Sequence, residues 1–421
     1  MHSIDIAVVG AGPAGLAAAL MLHASGHRVT VIERFETPKP LGSGLILQPT
    51  GLTVLHHLGL YERILARGSR IDRLFGTDAR SGRAVLDVRY RTQGKGRFGI
   101  GIHRAALFGV LHDAAIAAGI PVVTGVDVAA LDVGESSARL LDQAGRSVGA
   151  FDLVVDASGA RSCLKSFAAH PAEPTPLAYG AFWASLDWRA GFDPNALTQR
   201  YRRASVMIGV LPIGRVSPGE REQAAFFWSL KPDDADRVVA GGLDAWKGRV
   251  AALWPETEGY LDQIRSFEDL TLAHYGHHTL RVPAGRRLAV IGDAAHSTSP
   301  QLGQGANMAL LDAMALSHAI DRSGAIPDTL DAYARARRWH VRAFQAMSWA
   351  FTPFYQSDST ILPFIRDRIV ATFAKIPPAP QILAAMVAGT IVDPFATVGL
   401  REHDWSLTRH KAEAADEIEL T

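Results

Sequence analysis

The apolar stretch from Ile6 to Val9 runs directly into Gly10-x-Gly12-x-x-Gly15, and this junction limits what the chain can become more than any other feature. The stretch predicts a buried parallel strand, and the alanine-rich run Ala17 to Ala24 predicts the helix that follows. Gly10 permits the tight turn, Gly12 lets a pyrophosphate approach the backbone, and Gly15 lets helix and strand pack closely. The helix N-terminus adds free N–H groups and positive potential. Gly10, Gly12, Ala14 and Gly15 are therefore candidate cofactor contacts. Gly26 stops the helix, Arg28 to Ile32 returns as a second strand, and Glu33 follows about twenty residues after the glycines, where a carboxylate accepts ribose hydroxyls and repels a 2′-phosphate.

A second element narrows the choice of dinucleotide. Arg287 to Ile291 repeats the buried-strand pattern and ends in Gly292-Asp293-Ala294-Ala295-His296, followed by Ser297 to Asn307 and a helix-like run to Ile320. A domain built for NAD alone has no use for this stretch. Together the two motifs resemble those of the flavoprotein aromatic hydroxylases, the single-component monooxygenases with the p-hydroxybenzoate hydroxylase fold. The resemblance implies FAD. It assigns Asp293 to the ribityl chain, Pro300 to the edge of the isoalloxazine ring, and the backbone N–H groups of Gly303, Gly305, Ala306 and Asn307 to the pyrimidine end. Reduced flavin is anionic there, and a helix starting near Ala306 suits that charge. An ordinary N-cap is the alternative reading of Asp293.

The resemblance extends, unevenly, over most of the first 330 residues. After Glu33-Arg34, the stretch Gly42-Ser43-Gly44-Leu45-Ile46-Leu47-Gln48-Pro49-Thr50-Gly51 looks like the segment that folds along the flavin, which brings Arg34 and Gly44 to the cofactor. Ile102-His103-Arg104-Ala105-Ala106-Leu107 looks like the helix start whose arginine touches it; a solvated Arg104 is the other reading. Val126-Asp127-Val128 looks like the strand whose backbone, at Val128, meets adenine. The implied activity is monooxygenation. NADH or NADPH reduces the flavin, dioxygen adds at C4a, and the hydroperoxide gives one oxygen atom to an aromatic or conjugated small molecule.

One stretch departs from the family pattern A-D-G-x-x-S-x-x-R. Here Ala157-Ser158-Gly159-Ala160-Arg161-Ser162-Cys163-Leu164-Lys165 puts Ser158 in place of the aspartate and Lys165 in place of the arginine. This leaves the docking of nicotinamide open. Asp156-Ala157-Ser158-Gly159 also resembles flavin halogenases and geranylgeranyl-reductase-like proteins, although Ile208 to Gly214 lacks the tryptophans of a halogenase. A flavin-dependent reductase or oxidase of a lipophilic substrate, without oxygen insertion, is the alternative; a non-enzymatic flavin sensor is a third class.

The 421 residues suggest two or three domains, and a net charge of +1 argues against a general binder of nucleic acid or anionic membrane. Cys163 is the only cysteine, which excludes an intramolecular disulfide and a cysteine-ligated metal centre. The chain enters its first strand almost at once, leaving no room for a signal sequence, and the apolar run Ile382 to Val392 is too short to span a bilayer. A cytoplasmic protein is expected, with a homodimer left open.

The expected fold is α/β: a Rossmann-type FAD-binding domain (1–70, 100–175 and 280–330) interleaved with a smaller β-sheet substrate domain (71–99 and 176–279), then a helical C-terminal region with a polar tail (331–421). Tyr179 to Trp188, Tyr201 to Ile213 and Gln223 to Leu230 read as strands. Trp183, Tyr201 and Phe227 are candidate substrate contacts, with Phe182, Met207 and Trp228 as further wall candidates. Helical pattern runs over Ala332 to Phe351, Ile361 to Ala374 and Pro380 to Thr390. The tail after Leu400 is expected to be poorly ordered. His274, His277 and His278 read as a surface turn, His296 as a packing or hydrogen-bonding group beside the cofactor loop, and Arg200, Arg202 and Arg203 as a solvated strand face.

Overall fold

A computed structural model describes residues 2–37 and 43–406, so Gly42 and the tail from 407 lie outside the described residues. Ile6, Ala7 and Val8 are fully buried because their strand, Asp5–Val9, is flanked on both sides. Val8 pairs in parallel with Val31 of Arg28–Ile32 and with Val155 of Leu153–Asp156. Leu288–Val290 extends the sheet beyond Leu153–Asp156, and Val122–Val123 extends it beyond Arg28–Ile32. Apart from the antiparallel edge pair Ala284–Gly285 with Leu288–Val290 the sheet is parallel, and both of its faces are covered, as such a sheet requires. Helices Pro13–Ala24, Arg104–Ala117 and Gly305–Arg322 pack on one face. A three-stranded antiparallel sheet, Val128–Val133 with Ala138–Asp142 and Ser147–Phe151, covers the other through Leu131 and Leu140.

The second layer is a seven-stranded sheet in the order Thr271–Ala273, Gly180–Asp187, Gln223–Leu230, Val206–Gly214, Ala196–Arg202, Arg73–Asp78 and Ala84–Arg89. The single run expected over Tyr201 to Ile213 is two strands, broken at Arg203, whose φ of +56° marks the turn. Alternation along these strands divides the aromatics between two faces. Phe182, Phe226 and Trp228 face outward and pack on Trp246. Helices Ala235–Ala240, Leu243–Leu253 and Glu258–Leu261 cover that side, within a segment expected to be strand-rich. Of Leu243–Leu253 only Trp246 and Val250 are buried, so the apolar stripe that would announce the helix is one turn long.

A small sheet of Gly44–Leu47, Gly99–His103 and Ser69–Ile71 joins the two layers. The helix Ile326–Tyr355 begins before residue 331, so the boundary drawn there falls inside it, and it packs along Gly305–Arg322. A helical run Ile361–Phe373 and the helix Ala379–Ala388 follow; Ala384, Val387 and Ala388 join Leu211 and Ile213 in the core under the seven-stranded sheet. No helix among the described residues is long and apolar enough to cross a membrane.

Candidate active site

The glycine turn is held by contacts that no larger residue would allow. Gly10 has φ +105°, and a Cβ there would lie 2.6 Å from the Ala157 carbonyl oxygen; a Cβ on Gly15 would collide with the Gly10 carbonyl. Gly12 is different. It has an ordinary φ of −71°, and a Cβ on it would meet nothing within 4 Å. It caps Pro13–Ala24, which has neither a capping side chain nor an acidic residue in its first turn. The unpaired N–H groups of that helix therefore face open space. Ala14 is buried against Gly292, where φ is +61° and a Cβ would come within 3.1 Å of the Ala14 methyl, so the two motifs meet here.

Glu33 is buried beside this turn. Its Oε2 accepts the Ala11 N–H at 2.8 Å and its Oε1 the Phe35 N–H at 3.1 Å, which fixes the carboxylate at the glycine loop with lone pairs to spare. Arg34 lies over the Phe35 ring, 4.6 Å from its centroid. The Val128 carbonyl accepts the Cys163 thiol at 3.2 Å. Gly44 needs its small size for packing, since a Cβ would collide with Ile213 on the neighbouring sheet.

At the other end, Gly292–Ala294 forms a short turn from which Asp293 projects, exposed and with no hydrogen-bond partner among the described residues. It is not a cap. The helix Gly305–Arg322 follows Gln304, whose side chain does not cap it, and has no acid in its first turn, leaving the N–H groups of Gly305, Ala306 and Asn307 to point beyond the helix end. Gly303 turns the chain into it with φ +61°, and Pro300 is exposed at the start of the preceding turn. The buried Asn307 side chain ties this loop down: Oδ1 accepts the Gln48 N–H at 2.8 Å, and Nδ2 donates to Ile46 and Gly303 carbonyls at 3.1 and 2.9 Å. Gln48 Nε2, Thr50 Oγ1, Ser299 Oγ, Gln301 Nε2 and Gln304 Oε1 are buried without a protein partner. Polar atoms in that state cost free energy unless a bound group satisfies them.

Sequence reasoning missed the network behind this loop. Asp312, fully buried on Gly305–Arg322, accepts Arg337 Nε on Oδ1 at 2.6 Å, and on Oδ2 both His296 Nε2 at 2.6 Å and the Gly292 N–H at 2.9 Å. Burial pushes its pKa up, but the charges of His296 and Arg337 and their hydrogen bonds prevail and hold it at about 2. His340 extends the chain, with Arg337 at 3.4 Å and the Gly389 carbonyl at 3.0 Å; burial and the Arg337 charge bring its pKa down to about 3. An aspartate inside the apolar run Met308 to Leu316 was the available signal. His278, expected in a surface turn, is instead buried, bonded to Ser297 Oγ at 2.7 Å and the Ala294 carbonyl at 3.0 Å.

Trp183, Tyr201 and Phe227 lie on the inner face of the seven-stranded sheet; Phe182 and Trp228, on the outer face, do not join that wall. Trp183 packs on Phe227 with ring centroids 4.6 Å apart and donates its indole N–H to Tyr275 Oη at 2.8 Å. Burial pushes that phenol up to about 12, against the Trp183 bond and the Arg104 charge. Tyr201 is more deeply set, with its hydroxyl on Gln199 Oε1 and Met207 beside it. On the strand Gly99–His103, His103 Nδ1 accepts the Ala105 N–H, so in the neutral ring Nε2 carries the proton and donates at 3.0 Å to Oγ of Ser185, two residues beyond Trp183 on its strand. Ser185 in turn meets Ser43 Oγ at 2.8 Å. Arg104 starts its helix with an exposed side chain, its N–H on the Ser43 carbonyl.

In the departing motif a carboxylate stands two residues before Ser158, inside the fold. Asp156, fully buried at a strand end, accepts the Ser158 and Ser162 hydroxyls at 2.6 and 2.5 Å, and burial raises its pKa despite those bonds. Lys165 Nζ donates to the Ala160 carbonyl at 3.3 Å.

An open glycine cradle, an unpartnered acid and an uncapped helix rimmed by orphaned amides fit a dinucleotide whose far ring takes up negative charge. Residues 3–348 match the model of the family described as FAD binding domain. The chain belongs to that family of flavoproteins. It is 30% identical over 396 residues to 6-methylpretetramide 4-monooxygenase of Streptomyces rimosus, covering 91% of this chain and 92% of the relative. It is 27% identical over 372 residues to 3-amino-4-hydroxybenzoate 2-monooxygenase of Streptomyces cremeus, covering 80% and 87% of the two chains. Klebsiella pneumoniae HpxO, solved with FAD and uric acid, shares the fold with a TM-score of 0.77 at 19% identity, covering 92% of this chain and 97% of that one. The chain is thus an FAD-dependent monooxygenase with the p-hydroxybenzoate hydroxylase fold.

Proposed function

We propose that this monooxygenase hydroxylates a small conjugated aromatic molecule held between the inner face of the seven-stranded sheet and the FAD ring, with NADH or NADPH and dioxygen as co-substrates, in the cytoplasm. The observation that carries the reading is the pairing of an uncapped helix N-terminus at Gly305 with the inner-face aromatics Trp183 and Phe227. The aromatic and heteroaromatic compounds in the relatives' names support it.

In this reading Gly10, Gly12, Ala14 and Gly15 hold the diphosphate, Glu33 the ribose, and Arg34, Gly44, Arg104 and Val128 flank the cofactor. Asp293 holds the ribityl chain and Pro300 borders the ring. FAD, once reduced, supplies dioxygen activation and transfer of one oxygen atom. The N–H groups of Gly305, Ala306 and Asn307 stabilise the negative charge that hydride arrival creates. Trp183, Phe227 and Tyr201 exclude water from the substrate side, where a desolvated site makes those dipoles more effective. Tyr275, accepting from Trp183, keeps its own proton for a substrate oxygen or nitrogen.

The test is a panel of phenols, quinolones and fused-ring aromatics, scored for stimulated NAD(P)H oxidation and for product labelled from isotopic dioxygen. A ligand that both accelerates oxidation and takes up label supports the reading. Turnover that yields only hydrogen peroxide and an unoxygenated product, across every stimulating ligand, would favour the reductase or oxidase alternative.

A further inference from the structure

The C-terminal region turns apolar residues outward. Among the described residues, ten of the fourteen exposed large apolar side chains lie between Trp339 and Ile391, including Trp339 at 68% and Trp349 at 74% exposure. On the helix Ile326–Tyr355, Arg335, Arg338, Trp339, Arg342, Ala346 and Trp349 are all exposed. At about 100° per residue, from 3.6 residues per turn, these positions share one arc of the helix. The outward face is therefore arginine interleaved with tryptophan, and Arg342 lies over the Trp339 ring, 5.7 Å from its centroid.

The helical run Ile361–Phe373 is inverted. Its buried anchor is a charge: Arg366, 1% exposed, donates to the Phe354 and Arg203 carbonyls at 2.8 and 3.1 Å and to Asp367 at 2.7 Å. The guanidinium also lies over the rings of Tyr201 and Tyr355. Facing solvent instead are Ile361, Phe364 and Phe373, each more than half exposed. Arg368 lies over Phe364, and Lys375 follows.

Charge decides what covers this face. Among the described residues, none of Arg335, Arg338, Arg342, Arg368 and Lys375 is in an ion pair. The nearby acids are engaged elsewhere: Asp358 takes Lys231 and the Tyr179 hydroxyl, and Asp367 takes Arg366. Two exposed acids, Asp328 and Asp331, share the arc, but both stand at the N-terminal end of the long helix, before the stretch Arg335 to Trp349. A second copy docked by two-fold symmetry would set these cations against their own duplicates. An anionic lipid surface meets both halves of the pattern, taking exposed Trp, Phe and Ile at the headgroup boundary and Arg and Lys at the phosphates. The chain's net charge of +1 hides this local excess. We propose that the face formed by the long helix and the run Ile361–Phe373 docks on anionic phospholipid bilayers, lying on the surface without crossing it.

Sedimentation of the FAD-loaded full chain with vesicles of phosphatidylcholine alone, or mixed with phosphatidylglycerol, tests this. Binding to the mixed vesicles only, weakened by salt, is expected. The R368Q/K375Q variant should bind about 25-fold more weakly, at roughly fivefold per charge removed. Trp349→Ala with Phe364→Ser should lose binding while FAD content stays that of the wild type, which guards against misfolding. Absence of binding to mixed vesicles, or equal binding to both kinds, would overturn the proposal. So would a dimer in light scattering that Trp349→Ala dissociates, because the face would then belong to a second copy.

Discussion

Replacing Asp312 by asparagine keeps the shape of the side chain and removes its charge, which isolates what the buried carboxylate does. The carboxylate compensates Arg337, itself 1% exposed, and accepts three hydrogen bonds from Arg337, His296 and Gly292. An amide offers one acceptor oxygen, and its NH2 would face a donor on the other side. Leaving one partner of a buried ion pair uncompensated costs about 3–5 kcal/mol. The same change frees Gly292, whose turn presents Asp293, so FAD affinity should fall as well. Urea unfolding of the apoprotein at neutral pH and FAD titration by flavin fluorescence read the two effects separately. Should D312N accumulate poorly, D312N/R337M removes both charges and is expected to recover much of the loss. An unchanged urea midpoint and unchanged FAD affinity in D312N would refute the argument. A double variant as destabilised as the sum of the singles would show that the pair is not coupled.

Four further outcomes follow from the same geometry. Gly12→Val should leave the apo fold intact and abolish FAD binding, because its Cβ enters open space, whereas Gly15→Val should impair folding itself; circular dichroism and flavin content separate the two. Asp293→Ala should weaken FAD binding by about 1.5–3 kcal/mol without changing apo stability, as measured by titration and urea unfolding. Gly305→Pro deletes one N–H and strains Gln304, whose α-region backbone (φ −100°, ψ −13°) a following proline disfavours, so in the variant that still binds FAD spectroelectrochemistry should find a lower flavin potential and stopped flow a slower reduction by NAD(P)H. His340 is held neutral with its pKa near 3, while the unfolded chain takes up that proton near 6.5. Stability should therefore fall as pH drops below about 6.5, with a limiting slope of about 1.4 kcal/mol per pH unit from this group, and H340Q should flatten that part of the curve. Asp312, with a pKa depressed to about 2, acts below this: its contribution is complete above 3.8 and is lost as pH falls through 2.

The sequence by itself determined the parts whose physics is local. A strand, three glycines and a helix start state their purpose in consecutive residues, because a φ of +105° at Gly10 and the approach of Gly15 to the Gly10 carbonyl leave no other residue type room. The turn at Gly303 and the helix start at Gly305 were legible too, because Gly303 adopts φ +61°. Only the tertiary structure decided what depends on partners distant in the chain. Which aromatics face inward was set by the placement of the strands, which turns Trp183 and Phe227 to one side of the seven-stranded sheet and the adjacent Phe182 and Trp228 to the other. The need for glycine at position 44 comes from Ile213, and the role of His296 from Asp312 and Arg337, none of them neighbours in sequence. The helices covering Phe182, Phe226 and Trp228 escaped notice because each buries too few residues to leave a periodic trace. Local backbone chemistry is written where it acts, but a buried charge is explained only by the groups that folding brings around it.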